Sequence, residues 1–184
     1  MGYPCGMAIA AVRAADPADV PEITRIQAAT WAIAYAELVP AAAIAQLESA
    51  EAAQAWTAAV REGAVFVATE GDWTVGFAAA GPADVPADSP LGPDAWGEIG
   101  ALLVEPRWGR RGHGGRLLAA AAEALRGRGA HYGLAWVPEK DDASRRFYAR
   151  AGWELDGTVR AFDTGDGVLR EVRFTGSLDL NLTA

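Results

Sequence analysis

The chain has 184 residues, 51% apolar and 22% charged, enough for one soluble domain with a real core. Its formal net charge of −8 argues against nonspecific nucleic-acid binding, which needs a basic face, and a single cysteine, Cys5, excludes an internal disulfide framework. No apolar run approaches the length of a membrane span, and His113 and His131, the two histidines, are not in metal-ligand spacing, so neither a membrane nor a metal is an expected partner.

Met1 to Met7 reads as a loose lead-in, and a mobile start over residues 1–8 is expected. It lacks the charged start and long apolar core of a secretory leader, so the cytoplasm is the expected location. Ile9 to Arg13 is a short first strand. Asp16-Pro17 is a helix start, with Asp as the cap and Pro at the first helical position. Val20, Ile23, Ile26 and Ala29 to Trp31 then follow a period close to 3.6, and that helix ends before Val39-Pro40. Ala41 to Leu47 and Glu51 to Arg61 are two further helical pieces.

Val65 to Thr69 and Thr74 to Ala80 form a hairpin around Gly71-Asp72. Gly81 to Trp96, with four prolines and three aspartates, reads as a long loop. Ile99 to Val104 is the central strand, Gly114 to Arg126 a helix, and Tyr132 to Val137 a strand stopped by Pro138. Asp141 or Asp142 caps a helix running to Ala151. Trp153 to Arg160 and Val168 to Phe174 are the last strands, turning at Gly165-Asp166-Gly167. The order predicts one α/β domain over residues 1–184, a mixed central sheet flanked by helices, with no repeat and no linker.

The stretch with chemistry in it is Val104 to Leu118, V-E-P-R-W-G-R-R-G-H-G-G-R-L-L. It reads strand, glycine-rich turn, helix. A helix start offers free N–H groups and the positive end of the helix dipole, which suits a phosphate. Gly112, Gly114 and Gly115 let the backbone approach a ligand closely, and Arg110, Arg111 and Arg116 add positive charge. The turn is not a P-loop, since no G-K-[ST] follows, and its third position departs from G-x-G-x-x-G. Taken alone it is equally a tight connection.

The pattern apolar-apolar-Val-x-Pro, five residues, Gly-x-Gly, then a Leu-Leu helix resembles the acetyl-CoA site of the GNAT acetyltransferase superfamily. The second half of that signature is present in order at Asp142 to Trp153, D-A-S-R-R-F-Y-A-R-A-G-W. The resemblance implies a GNAT-like domain whose central strands splay, with acetyl-CoA as co-substrate. Pantetheine would pair with the main chain of Leu102, Leu103 and Val104, and the pyrophosphate would meet the turn from Arg110 and Arg111 through Gly112, His113, Gly114 and Gly115 to Arg116. Gly109 departs from the Gln or Arg that usually opens the motif, and Arg110 or Arg107 can supply the charge. Ser144 and Asp141 fall where the family often places residues that touch the cofactor. A carboxylate beside pyrophosphate is unfavourable, which leaves Asp141 as a helix cap.

Acetyl transfer to an amine needs a held thioester, a neutral amine and a protonated leaving thiolate. The resemblance makes Tyr148 the candidate general acid; the alternative is a packed ring with its hydroxyl on a backbone group. Glu98, fourteen residues before Gly112, resembles the catalytic glutamate of histone-type members and is the candidate base, or else a polar strand end. Strand alternation puts residues 98, 100, 102 and 104 on one face. Trp31 and Tyr35, near Glu37, are candidate walls of the acceptor pocket, or core aromatics. The expected function is N-acetyl transfer from acetyl-CoA to a primary amine of a small molecule or peptide, by direct attack in a ternary complex. The alternative is a noncatalytic acyl-CoA-binding module on the same fold. A homodimer is left open.

Overall fold

The computed structural model describes residues 10–37, 39–85, 91–164 and 167–180. The expected turn residues Gly165 and Asp166, the lead-in 1–8 and residues 86–90 of the proline-rich loop lie outside them. The elements run β1 (Ala10–Ala14), α1 (Val20–Ala34), α2 (Ala41–Gln46), α3 (Ala50–Arg61), β2 (Val65–Glu70), β3 (Trp73–Pro82), β4 (Trp96–Val104), α4 (His113–Gly127), β5 (Tyr132–Pro138), α5 (Asp142–Arg150), β6 (Glu154–Asp163) and β7 (Val168–Ser177). This is the order read from the sequence. Asp16 does cap, but the chain first makes a single turn, Pro17–Asp19, closed by a reciprocal capping box between Asp16 and Asp19.

The strands form one seven-stranded mixed sheet in the order β1-β2-β3-β4-β5-β7-β6. Every pairing is antiparallel except β4 with β5. Helices cover both faces. On one, Leu117, Leu118, Ala121, Ala122 and Leu125 of α4 are at most 3% exposed and pack with Tyr148 of α5. Each such leucine is worth about 1.5–3 kcal/mol of burial. On the other, Val20, Ile23 and Ile26 of α1 and Val60 of α3 pack on Val65, Val67 and Phe77.

The expected loop from Gly81 to Trp96 is shorter than its composition suggests, because Gly81 and Pro82 still pair with Glu98 and Gly97. Pro82 is tolerated there as the last residue of its strand.

Two features of β4 shape the centre of the sheet. Its pairing with β5 covers only Trp96, Gly97 and Glu98, opposite Tyr132, Gly133 and Leu134. Beyond that the strands part, while β4 stays paired to β3 as far as Val104 and β5 to β7 as far as Pro138. This is the splay that the family resemblance implies. The second feature is a bulge: Ala79 faces Ala101 and Ala80 faces Ile99, so Gly100 is the extra residue. The bulge overturns the expected alternation. Ile99, Leu102 and Val104 pack on the α4 side, while Ala101 and Leu103 pack on the α1 side. An added Cβ at Gly97 would meet Leu125 of α4 at 2.6 Å, so Glu98, one residue on, faces the α1 side with Ala101 and Leu103. Glu98 and Leu102 do not share a face.

Candidate active site

The gap between β4 and β5 opens into a cavity on each side of the sheet. On the α4 side lies a cleft of about 720 Å³. Leu102, Val104, Arg110, Gly112, His113, Gly114, Gly115 and Ser144, all expected from the sequence, border it. Leu103, Arg111 and Arg116 do not. Leu103 turns to the opposite cavity, Arg111 pairs with Glu70 (2.7 Å) and covers Trp108 (4.9 Å), and Arg116 donates to the Arg111 carbonyl (3.2 Å).

The turn before α4 is built for an anion. Arg110 and Gly112 both take left-handed φ, 61° and 80°. For Arg110 that conformation is uncommon; for Gly112 it is ordinary. The first intrahelical bond runs from Arg116 N–H to the Gly112 carbonyl (3.1 Å), so the N–H groups of His113, Gly114 and Gly115 have no helical acceptor. A Cβ at Gly114 would sit 3.2 Å from the Phe147 ring, which brings α4 close against α5, whereas Gly115 faces open space. The His113 ring is not available to a ligand: it is 1% exposed and its Nε2 lies 2.8 Å from Glu70.

Sequence reasoning missed two more cleft residues, Arg146 and Arg150. Their i, i+4 spacing on α5, beside Phe147, was the signal that could have found them. With Arg110 they give the cleft three arginines, and no acidic side chain among the described residues borders it. In a chain of net charge −8 that is a local reversal of sign suited to phosphate.

The smaller cavity, about 120 Å³, lies on the α1 side and is bordered by Trp31, Tyr35, Trp136 and Glu171 among others. Tyr35 is 8% exposed, stands edge-on to Trp31 and donates its hydroxyl to Asp141 Oδ2 at 2.9 Å. Burial, with Asp141 beside it, pushes that phenol far above its ordinary value. Asp141 is the α5 cap, accepting from Ser144 N–H (3.0 Å) and Ser144 Oγ–H (2.7 Å). Gln27, also at the cavity, accepts the Trp56 indole N–H on its carbonyl oxygen (2.9 Å). The indole only donates, so this bond fixes the amide orientation, and its NH₂ has no acceptor among the described residues.

Leu102, Ser144 and Tyr148 border both cavities. Tyr148 is 5% exposed, and its ring stacks on Trp153 (5.3 Å) and Phe174 (5.9 Å). None of the hydrogen bonds among the described residues engages its hydroxyl. Burial raises its pKa, so it holds its proton at neutral pH. Glu98 stands at the vertex, in the last β4–β5 pair before the strands part. Half-buried, it has its pKa raised by burial, with Asp84 and Glu171 adding to the rise and Arg160 opposing it.

A parallel strand pair splits beside a glycine-opened helix, with an arginine-lined cleft on one side of the sheet and an aromatic cavity on the other. The model of the acetyltransferase (GNAT) family matches residues 25–153, and the chain belongs to that family. Solved structures agree in fold. The paia N-acetyltransferase of Thermoplasma acidophilum, determined with coenzyme A, aligns at a TM-score of 0.73 with 13% identity, over 92% of this chain and 99% of its own. The yncA protein of Salmonella typhimurium, determined with acetyl-CoA, aligns at 0.70 with 22% identity, over 95% and 96%. A ribosomal-protein-alanine N-acetyltransferase of Brucella melitensis aligns at 0.67 with 25% identity, over 91% and 99%. No curated protein matches the chain by sequence. No helix among the described residues is long and apolar enough to cross a membrane, and no group of three His, Cys, Asp or Glu side chains there is placed to hold a metal.

Proposed function

We propose that this enzyme moves the acetyl group of acetyl-CoA, the co-substrate of its family, to a primary amine of a small molecule or peptide, in a ternary complex. The observation that carries the reading is the meeting of the two cavities at Leu102, Ser144 and Tyr148, so that donor and acceptor enter from opposite sides of the sheet. Acetyl-CoA supplies the acyl group when bound. The cleft fits it: three arginines and the free N–H groups of the α4 start would hold the pyrophosphate, and the unpaired edge of β4 from Leu102 to Val104 would align pantetheine. Glu98 takes the proton of the incoming ammonium through a water, and its raised pKa makes it a stronger base than an exposed carboxylate. The Tyr148 hydroxyl gives its proton to the departing sulfur. Trp31 and Tyr35 wall the acceptor.

The test is release of free thiol from acetyl-CoA in the presence of amine acceptors, with the wild type and Tyr148→Phe. The substitution keeps the stacked ring and removes a hydroxyl that has no hydrogen-bond partner among the described residues, so stability and acetyl-CoA affinity stay close to wild type while turnover falls by about 10²-fold or more. Normal turnover, with chemistry shown to be rate-limiting, removes the general-acid role. Binding of acetyl-CoA without transfer to any amine returns the chain to a binding module.

A further inference from the structure

We infer that Glu171 is the cation-binding carboxylate of the acceptor cavity, and that the acceptor is a compact alkylamine with a second positive charge and no anionic group. The inference rests on the acetyl-transfer reading above and names the substrate class for the same site. Glu171, on β7 opposite Pro138 of β5, borders the cavity and has a side chain only 14% exposed. Arg160 Nε donates to Oε2 at 2.6 Å, while Oε1 accepts from no donor among the described residues. That leaves one oxygen of a largely buried carboxylate free to accept from a ligand donor in the cavity.

The charges around it favour a cation. Arg160 lies over the Trp136 ring at 4.3 Å and is shared by two carboxylates, Glu171 and Glu98, while Asp84 adds its negative charge beside Glu98. The next cation on that face, Arg173, is bound to Asp156 at 2.7 Å. No lysine, arginine or histidine among the described residues borders the cavity, so nothing there would pair with a carboxylate or phosphate on the acceptor. At about 120 Å³ the cavity is well below the roughly 300–1,000 Å³ of drug-sized sites, which suits a short chain.

Why a second charge, and not the reacting one? An amine held against a carboxylate keeps its proton, and a protonated amine has no lone pair with which to attack. Glu98, at the strand vertex, is the carboxylate proposed above to take the reacting proton. Glu171, already held by Arg160, faces the nitrogen that stays charged.

Three acceptors of equal chain length test this: 1,4-diaminobutane, butylamine and 4-aminobutyrate differ only in a distal positive, neutral or negative group. With saturating acetyl-CoA, kcat/KM read as thiol release should fall in that order, by about tenfold or more from first to last. In Glu171→Gln the ratio of kcat/KM for the diamine over butylamine should drop about tenfold, with the loss in KM and not in kcat, and Glu171→Asp should recover part of it. Calorimetry should show unchanged acetyl-CoA binding. Equal rates for the three acceptors, or a preference for 4-aminobutyrate, overturn the inference and leave acetyl transfer standing; that series needs no variant. A proportional loss on diamine and butylamine in Glu171→Gln also overturns it, since it marks a structural role for the Arg160 pair. Acetyl-CoA binding without transfer to any of the three, or to other amines, removes both readings.

Discussion

Glu98 shows how one position acquires chemistry from its surroundings. A glutamate on an open strand end titrates in the ordinary carboxylate range. Here burial disfavours its charge, Asp84 and Glu171 disfavour it further, and the Arg160 guanidinium recovers only part. If Glu98 is the base, the active form is the deprotonated one. Activity should therefore fall as pH drops through a pKa above the usual carboxylate value. Glu98→Gln should lower turnover by about 10²-fold and remove that ionisation from the acidic limb of the kcat/KM profile, with acetyl-CoA affinity barely changed. An unaltered acidic limb in the variant would return Glu98 to the role of a polar strand end. The family resemblance, at a spacing of fourteen residues before Gly112, made this residue the candidate. The face it occupies was not legible, because a bulge at Gly100 resets the alternation and no single residue there announces it.

At the scale of elements, a slot made of two glycines supports Tyr148, the proposed general acid. Gly133 of β5 and Gly176 of β7 pair directly across the sheet. A Cβ on either would lie 2.4 or 2.3 Å from the Trp153 indole, which is 2% exposed and donates to the Ser177 carbonyl at 3.2 Å. Strand glycines of this kind mark a close approach. Trp153 in turn stacks beneath Tyr148, so the slot sets the height of the phenol between the two cavities. Gly176→Ala should cost about 2–3 kcal/mol in urea unfolding, since a buried indole with a fixed partner cannot step aside. A variant as stable as wild type would mean that the ring has room the geometry denies. The element order, the hairpin and the glycine turn could all be read from local signals of period, cap and breaker. The arginines of α5 carried a local signal in their i, i+4 spacing, but the Glu171 carboxylate and the indole slot carried none, because each depends on strands adjacent in space and distant in sequence.

Across the whole molecule the two faces of the sheet must be held in register, since a cavity lies on each and the proposed reaction joins them. Glu105, at the end of β4, is the joint. It is 5% exposed, its N–H donates to the Val75 carbonyl at 2.9 Å, and its carboxylate is bound by Arg25 from α1 and by Arg107 (2.8 Å) from the turn leading to the anion cradle. Burial alone would raise its pKa, but the two guanidinium partners outweigh burial and leave it below the ordinary value. A depressed carboxylate binds its proton less readily folded than unfolded. Its contribution is therefore fully present above the unfolded-state pKa and is lost as pH falls through the folded-state one. Both arginines are more than a third exposed, which puts the contribution below the 3–5 kcal/mol of a fully buried pair, at about 2 kcal/mol. Glu105→Gln keeps the shape and removes the charge. Urea unfolding should show it about 2 kcal/mol less stable than wild type at pH 7, with the gap closing as the buffer is taken toward pH 3 and the wild-type carboxylate takes up its proton. Other depressed carboxylates, Asp19, Glu70 and Asp156, lose their contributions over the same acidic range in both proteins and cancel in the difference. A gap that stays constant with pH would assign the loss to packing at the end of β4. A gap that closes, with acetyl-CoA binding weakened at neutral pH, would show that the charge joining α1 to the cradle also holds the donor cleft in position.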